Sequence, residues 1–595
     1  MKRTQLAVAV LLATGSVSAT AATYTVTPLP LQDVAENNYA RSIDDTGKML
    51  SVVETEFSPP IDLDQLEDDT SFYTTYSGAF EDESDALQGE FTDADYTLVV
   101  SYLYSIQTAS TGQKLATYRT YSTDTSDIDL VPGLDEVTDK FDDYTQSVEA
   151  IGRDSVGGNF IVGDSPGVVI LDEYEDEDGE TVNYTYSELP PQAFAQTSSG
   201  TKILPPVDDT LGGFASARAV NRNLQVAGFS TVEFLDTVED AMEDCEEEET
   251  RGDIPEGRCL YSIYAGEFNV PRISSYFVTN STSYLSSFIL SSEVNATIWQ
   301  LDVNGDVIST DTFPLLFTPE PDDTVHYFSY AYDINEQGIA VGEALTGDAV
   351  NITRPNSSGL NESERVATVF RDGETEEILP REENLISQAI AINDNNWVAG
   401  AVLRESSDIA RSRLFAYNLD TTEQLYPDGF FTTAAVQPNA INNNNIIVGK
   451  SDYDATSDTI RENHAFMFNI ETEEFTDLND LIECDSDYLL VEAIDINDNN
   501  EIIANARIRS TSKYITGVEI INSEGETNEV DSIVAVKLTP SAGSIDDCST
   551  DDGDDSDDSS DDDDEENYER KGASTGFFGL VTLCLMTIFR RKMKK

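Results

Sequence analysis

Asp495, Asn497, Asn499 and Glu501 alternate as D-x-N-x-N-x-E. Alternate oxygen side chains on a tight turn can converge on a calcium ion. Asp302-Val303-Asn304-Gly305-Asp306 and the set Asp333, Asn335, Gln337 and Gly338 share that spacing. None carries the Glu at the twelfth position that completes an EF-hand loop. The same residue types are favoured simply as turn formers. The pattern therefore has two readings, calcium ligands or turns. No cofactor is required by it, and calcium is the metal it would take.

Other chemistry finds less support. Gly163-Asp164-Ser165 resembles the nucleophile block of some esterases, but the Leu that should follow is missing. Neither His326 nor His464 stands in a matching Asp-x-x-His. Two histidines in 595 residues leave little room for a His-rich metal site or a relay of imidazole bases. A carboxylate pair of the glycosidase kind would be hidden among 98 acidic side chains between residues 23 and 545. Trp299 and Trp397 sit in apolar strand patterns and read as core rather than sugar platforms. Arg251-Gly252-Asp253 falls between Cys245 and Cys259, where an exposed acidic loop is the plainer reading.

What would position these residues is a recurring hairpin. Its clearest copies are Ala391-Ile392-Asn393-Asp394-Asn395-Asn396, Ala440-Ile441-Asn442-Asn443-Asn444-Asn445 and Asp495-Ile496-Asn497-Asp498-Asn499-Asn500. Each is followed by an apolar run, which ends in Gly400 or Gly449 in the first two. Looser copies begin at Asp333 and Ala219, and weak ones at Ser42 and Ala150, making seven. Two apolar positions end a strand, Asn and Asp tolerate a tight turn, and the second run returns. The closing Gly implies a close backbone approach or a bulge. A second hairpin with an aromatic strand follows most copies, as in Arg413-Leu414-Phe415-Ala416-Tyr417 and Val366-Ala367-Thr368-Val369-Phe370. That gives four strands per unit. From Asn335 the spacings to Asn393, Asn442 and Asn497 are 58, 49 and 55 residues. Four-stranded units at such spacing predict an all-β fold, a β-propeller of seven blades with eight as the competitor. The earlier copies stand farther apart, so either large loops are inserted or two units have lost the motif.

The charge excludes a partner class. With 34 basic and 113 acidic residues the net charge is −79, and a phosphate backbone would repel it. No nucleic acid is expected. Residues 23–545 alone carry net −73, a carboxylate coat suited to salt water or to a cationic partner.

The ends set the address. Lys2 and Arg3, the apolar run 6–12 and the small residues Val17-Ser18-Ala19 and Ala19-Thr20-Ala21 read as a secretory signal peptide, residues 1–22. The propeller ectodomain is then 23–545. Residues 546–566 hold 14 acidic side chains in 21, so 546–571 is read as an extended acidic linker. Residues 576–589 are apolar, and Arg590-Arg591-Lys592-Met593-Lys594-Lys595 closes the chain. Basic residues after an apolar run stay cytoplasmic, which leaves the large domain outside. Fourteen residues make a short transmembrane helix, about 21 Å against roughly 30 Å of hydrocarbon. Such a segment suits processing by an enzyme and removal.

Export permits disulfides. Cys584 lies in the apolar run, and Cys245, Cys259, Cys484 and Cys548 allow three pairings. Cys245–Cys259 closes a local loop and Cys484–Cys548 ties the domain's end to the last repeat, so these are favoured.

The C-terminal segment 572–595, with Gly572-Ala573-Ser574 before the apolar run and the basic end, resembles the GlyGly-CTERM sorting signal of Gram-negative bacteria. That resemblance implies an intramembrane sorting protease, rhombosortase, as a partner. Ala573 stands where the signal has a second Gly. The repeats resemble the HAF repeats of secreted bacterial proteins, and His464-Ala465-Phe466 matches their second motif in full. Together these features resemble an uncharacterised family of exported gammaproteobacterial proteins, which implies a location and a fold and supplies no catalytic residues.

The reading is a non-enzymatic binding or adhesion module for a glycan or envelope protein. It is held first at the inner membrane with its ectodomain periplasmic, then placed on the cell surface or released. The alternatives are an exported carboxylate-dependent hydrolase and a passive calcium-binding coat protein.

Overall fold

The computed structural model describes residues 22–542, apart from 69–71, 73–76, 82, 87, 108, 235, 268–291, 320–326, 354–359, 382–383, 407–408 and 455–460. Two compact units divide the chain. One, Val26–Asn479 with Ser486–Thr539, contains the repeats; the other joins, among the described residues, 22–25, Asp480–Asp485 and 540–542. In the latter, Thr23 Oγ1 lies 2.9 Å from Ser541 Oγ.

The repeat copies fold as hairpins because their fourth turn residue takes a left-handed backbone. It is Asn396, Asn445 and Asn500 at φ 58–60°, Gly47 and Gly338 at about 80°, and Leu224 at 58° in the third copy. Asn and Gly adopt that conformation at the least steric cost. In blade 5 the strands Ile386–Ile392, Trp397–Ser406, Ile409–Asn418 and Gln424–Leu425 pair in sequence order, all antiparallel. The same meander recurs, so the fold is a β-propeller of seven four-stranded blades. The innermost strands are Asn37–Ile43, Ile151–Val156, Ala215–Val220, Ser329–Ile334, Ile386–Ile392, Val436–Ile441 and Leu489–Ile496. In the last blade the outermost strand is Ala22–Pro28, from the chain's start, so the ring closes by pairing its two ends.

The wide spacings of the early copies come from insertions, not from lost blades. The three large ones lie between the second and third strands of their blades, and a short hairpin, Val137–Thr138 with Asp143–Tyr144, joins blade 1 to blade 2. Blade 1 inserts 55–117, including the helix Asp93–Ser105. Blade 2 inserts the hairpin Val169–Glu175 with Thr181–Ser187. Blade 3 inserts the helices Asp236–Glu246 and Glu256–Glu267. Because strands alternate in direction, these connections lie at the end of the ring opposite the Asn turns.

The core lies between the blades. Trp299 is fully buried with Val162, Ala193, Ala217 and Val226 between blades 2 and 3. Trp397 packs with Phe466, Phe468 and Ile447 between blades 5 and 6. Both tryptophans are therefore core residues, and Trp299 Nε1 donates to the Pro205 carbonyl. The closing glycines have a steric reason. A Cβ on Gly163, Gly228, Gly342, Gly400 or Gly449 would stand 1.8–2.2 Å from a carbonyl oxygen of the inner strand. A β-bulge in that strand lies opposite each of them, as between Ala389 and Ala391.

Candidate functional site

The Asn turns are joined around the ring by their own side chains. Asn393 Oδ1 accepts the N–H of Asn395 and of Trp397, both at 3.0 Å, which caps its turn. Its Nδ2 donates to the Asn442 carbonyl of the next blade at 2.9 Å. The same step runs from Asn221 to Asn335, Asn335 to Asn393, Asn442 to Asn497 and Asn497 to Asp44. The second turn position forms a parallel track: the N–H groups of Glu336, Asp394, Asn443 and Asp498 donate to Asp394, Asn443, Asp498 and Asp45. A third track runs through the amides of Asn395, Asn444 and Asn499. Blade 2 has Val156-Gly157-Gly158 instead, and there the Gly158 N–H donates to Asp44. Arg222 reaches across the mouth, 3.0 Å from Glu336, 3.4 Å from Asp394 and 3.7 Å from Asp45. Those carboxylates hold its guanidinium above the ordinary arginine range.

Below this mouth lies an axial cavity of about 470 Å³. Its wall starts where each inner strand bulges. The bulged residues at this height are Arg41, Arg153, Arg218, Tyr332, Ile390, Asn439 and Ile494, one from each blade, and blade 7 has a second at Val491. The residues after them are Ser42, Asp154, Ala219, Asp333, Ala391, Ala440 and Asp495. Three of these are carboxylates, and each latches its blade to the next. Asp154 Oδ2 accepts the Val220 N–H, Asp333 Oδ2 that of Ile392 and Asp495 Oδ2 that of Ile43, at 2.7–2.8 Å. The other oxygen of each accepts the following residue's N–H. Burial pushes Asp154 up to about 6, and Asp333 and Asp495 up to about 7; these hydrogen bonds oppose the rise and mutual repulsion adds to it.

The arginines of blades 1, 2 and 3 form the other charged layer. Arg153 Nε donates to Asp164 at 2.7 Å. Arg218 lies 5.5 Å from the centre of the Tyr332 ring. Burial depresses the Arg41 guanidinium well below its ordinary range, and the charges of Arg153 and Arg218 depress it further.

The residues singled out in the sequence take these places. Asp495 is a blade latch. Asn497 Oδ1 accepts the N–H of Asn499 and Glu501, and Asn499 donates to the Asp45 carbonyl. Glu501 pairs with Lys537 at 2.7 Å and accepts from Asn497. Turn capping and contacts to blade 1 and Lys537 account for these groups. Among the described residues no three His, Cys, Asp or Glu side chains form a group able to hold a metal ion. Cys245 and Cys259 form a disulfide that staples the helical insertion of blade 3. Cys484 is disulfide-bonded, and Cys548 lies outside the described residues. Also outside them are His326, the signal peptide and Gly572, Ala573 and Ser574. Among the described residues no helix is long and apolar enough to cross a membrane. Ser165 Oγ accepts the Leu134 N–H and donates to the Pro166 carbonyl. His464 stacks on Tyr453 at 3.7 Å and pairs through Nδ1 with Asp477 at 2.6 Å, far along the chain from that serine. Arg251 is turned inward to the carbonyls of Cys245 and Ile254. The channel rings were missed. Their signal was present at the residue before the motif in two early copies, Arg41 and Arg218, and inside the copy that begins at Ala150, at Arg153.

Fold and channel define a seven-bladed β-propeller whose axial cavity is lined by charged residues. The chain belongs to the family described as protein of unknown function (DUF3466), which matches residues 2–592. A search of curated proteins gives no match. Solved structures similar in part include an acylaminoacyl peptidase of Pyrococcus horikoshii, at 11% identity and TM-score 0.26 over 62% of this chain. This chain spans 50% of that one's length. The propeller domain of the Trilobed protease of Pyrococcus furiosus has 9% identity and TM-score 0.23, over 63% of this chain and 89% of that domain. A puromycin-hydrolysing peptidase of Mycobacterium tuberculosis has 8% and 0.20, over 60% of this chain and 57% of its own. Likenesses at this level carry no activity across.

Proposed function

We propose that this chain is an exported, surface-sorted propeller that works as a non-enzymatic binding or adhesion module. It would display its inserted segments to a glycan or envelope protein, since recognition favours loops held on a rigid scaffold. The observation that carries the reading is the continuity of the insertions. Blades 7, 1, 2 and 3 are consecutive around the ring; blade 7 inserts 512–528 between its strands Ile502–Thr511 and Glu529–Ala542, and the insertions touch in that order. Ile515 of blade 7 accepts from Ser58, and Thr516 donates to Asp93, both in blade 1. Thr185 of blade 2 donates to the Ser110 and Gly112 carbonyls of blade 1. Asp253 of blade 3 accepts from Glu177 of blade 2, and Tyr186 packs on Tyr261. One extended layer of non-repeated sequence results.

The resemblance of the two ends of the chain to a signal peptide and a GlyGly-CTERM tail supports the address, inner membrane first and cell surface after sorting. The test is to express the full chain, and a variant lacking 236–267, in the native envelope. The full chain should be cleaved by protease added to intact cells and should bind an arrayed glycan or a purified envelope protein. The deletion should keep the propeller and lose that binding. Equal binding by both would overturn the assignment of recognition to the insertions.

A second reading, an exported carboxylate-dependent hydrolase, is favoured by the raised carboxyls of Asp154, Asp333 and Asp495 around one cavity. It stands second because both oxygens of each already accept backbone N–H groups. Turnover of a glycoside or ester that vanishes in D154N would bring it to the front.

A further inference from the structure

We propose that the axial channel binds a small oxyanion in the layer formed by Arg41, Arg153 and Arg218. The inference is separate from the insertion layer and does not depend on it. Its first basis is position. The three arginines are the bulged residues of three consecutive inner strands, so one backbone irregularity repeated at one height turns all three side chains to the same cavity. Its second basis is composition. The protein has 34 basic residues against 113 acidic ones, so chance places few cations together. Three guanidiniums nevertheless face one space, close enough that Arg153 and Arg218 weigh on Arg41 more than the nearby carboxylates of Asp164 and Glu492 relieve it.

Two carboxylates border that layer. Asp164 holds Arg153, and Glu492 pairs with Lys450 at 3.1 Å. A bound oxyanion would accept from several planar guanidinium forks at once, the geometry in which arginine outperforms lysine. The cavity runs unbroken from the Asn turns to the arginines, and its size suits a phosphate or a short carboxylate rather than a polymer. A dianion entering past Asp45, Glu336, Asp394 and Asp498 meets a negative rim first, and Arg222 spans that rim. The site would therefore favour small anions at the ionic strength that screens the rim.

The test is calorimetric titration of the full-length protein with inorganic phosphate, and in parallel with acetate, at fixed ionic strength set by sodium chloride. The expected result is saturable one-to-one phosphate binding, weakened about tenfold or more in R218Q and in R41Q. Arg371, which pairs with Glu376 on the outer part of blade 4, is the control, and R371Q should bind as the wild type does. Acetate binding lost in the same variants would support the same site and assign it to carboxylates. Absence of saturable binding of either anion by the folded wild type would overturn the proposal, whatever the variants do. Equal affinity in wild type and R218Q would overturn it as well.

Discussion

At the Asn-turn end of the ring, blades 1 and 3 to 7 repeat one turn and give its polar groups to the neighbouring blade. At the opposite end, blades 7, 1, 2 and 3 carry segments that share no sequence pattern yet touch each other in order. The first end is where the repeat is conspicuous, and its asparagines hold the scaffold. The second end has no repeat, and its segments differ because nothing in the ring requires them to match. A repeated motif in a propeller thus marks what the blades need from each other, and departures from it mark what one blade does alone.

The largest effect should come from the closing glycine of the repeat. In Gly400→Ala the new Cβ would stand 2.2 Å from the Gln388 carbonyl oxygen and 2.4 Å from the Phe415 ring. Backbone and a fully buried ring must both move, so a loss of about 3 kcal/mol is expected. Gly525→Ala, in the blade 7 insertion, meets nothing within 4 Å and strains only a φ of +85°. It should cost about 1–2 kcal/mol. Urea unfolding of the two variants measures the difference. Equal midpoints would mean that the bulge yields and the repeat end is softer than its packing implies.

Next comes the inter-blade track itself. Asn522 caps an isolated turn in the blade 7 insertion, accepting the N–H of Glu524 and Glu526 at 2.9 Å each. Asn393 does the same in its own turn and also donates to Asn442 and Asn445 of blade 6. Asn522→Ala should cost about 1 kcal/mol as a lost cap, and Asn393→Ala about 1–3 kcal/mol more, because the Asn442 carbonyl it reaches is buried. If both substitutions shift the urea midpoint alike, the track contributes nothing beyond the turns.

Much of this end was legible in the sequence. Asn and Asp in Ala391–Asn396 mean a turn by local stereochemistry, and the spacing of copies counts the blades. That the amide of Asn393 belongs to the next blade was not legible, because its partner Asn442 lies 49 residues away and looks like another turn. The channel escaped for a different reason. The bulged position is Arg, Arg, Arg, Tyr, Ile, Asn and Ile around the ring; it stands just before the motif in six copies, and in the second it lies three residues past Ala150. Such variation looks like noise along the chain. A bulge makes that position face the axis, where seven different residues meet in one cavity. The insertions could be sized from the spacing, but their mutual contacts follow no period.

The channel carboxylates give the comparison a pH axis. Asp154, Asp333 and Asp495 have folded-state values raised to about 6, 7 and 7, above an unfolded value near 3.9. The folded protein therefore binds these protons more tightly than the unfolded chain does. Their contribution to stability is fully present below about pH 4 and is lost as pH rises through 6 to 7. Melting followed between pH 5 and 8 should show the midpoint falling as pH rises. Asp333→Asn should flatten that fall and leave the pH profile of the helical insertion at 236–267, followed by hydrogen exchange, unchanged. A slope untouched by D333N would assign it to the carboxylate coat instead of the channel.

The smallest expected effect is that of calcium. Ligation by Asp495, Asn497, Asn499 and Glu501 has to compete with what those groups already hold. Asp495 accepts Ile43 and Ile496, Asn497 accepts two turn N–H groups, and Glu501 is paired with Lys537. Calcium at matched ionic strength should therefore leave the melting midpoint where sodium chloride leaves it. A site filled a hundredfold above its Kd would add about 2.7 kcal/mol, which a melt resolves easily. If that shift appears and Glu501→Gln abolishes it, the Asn end would be a metal-tuned scaffold, and the contrast with the insertion end would become one of regulation as well as of repetition. The full-length chain melted with calcium, with chelator and with matched salt decides between them, because Lys537 must release Glu501 before a cation can take its place.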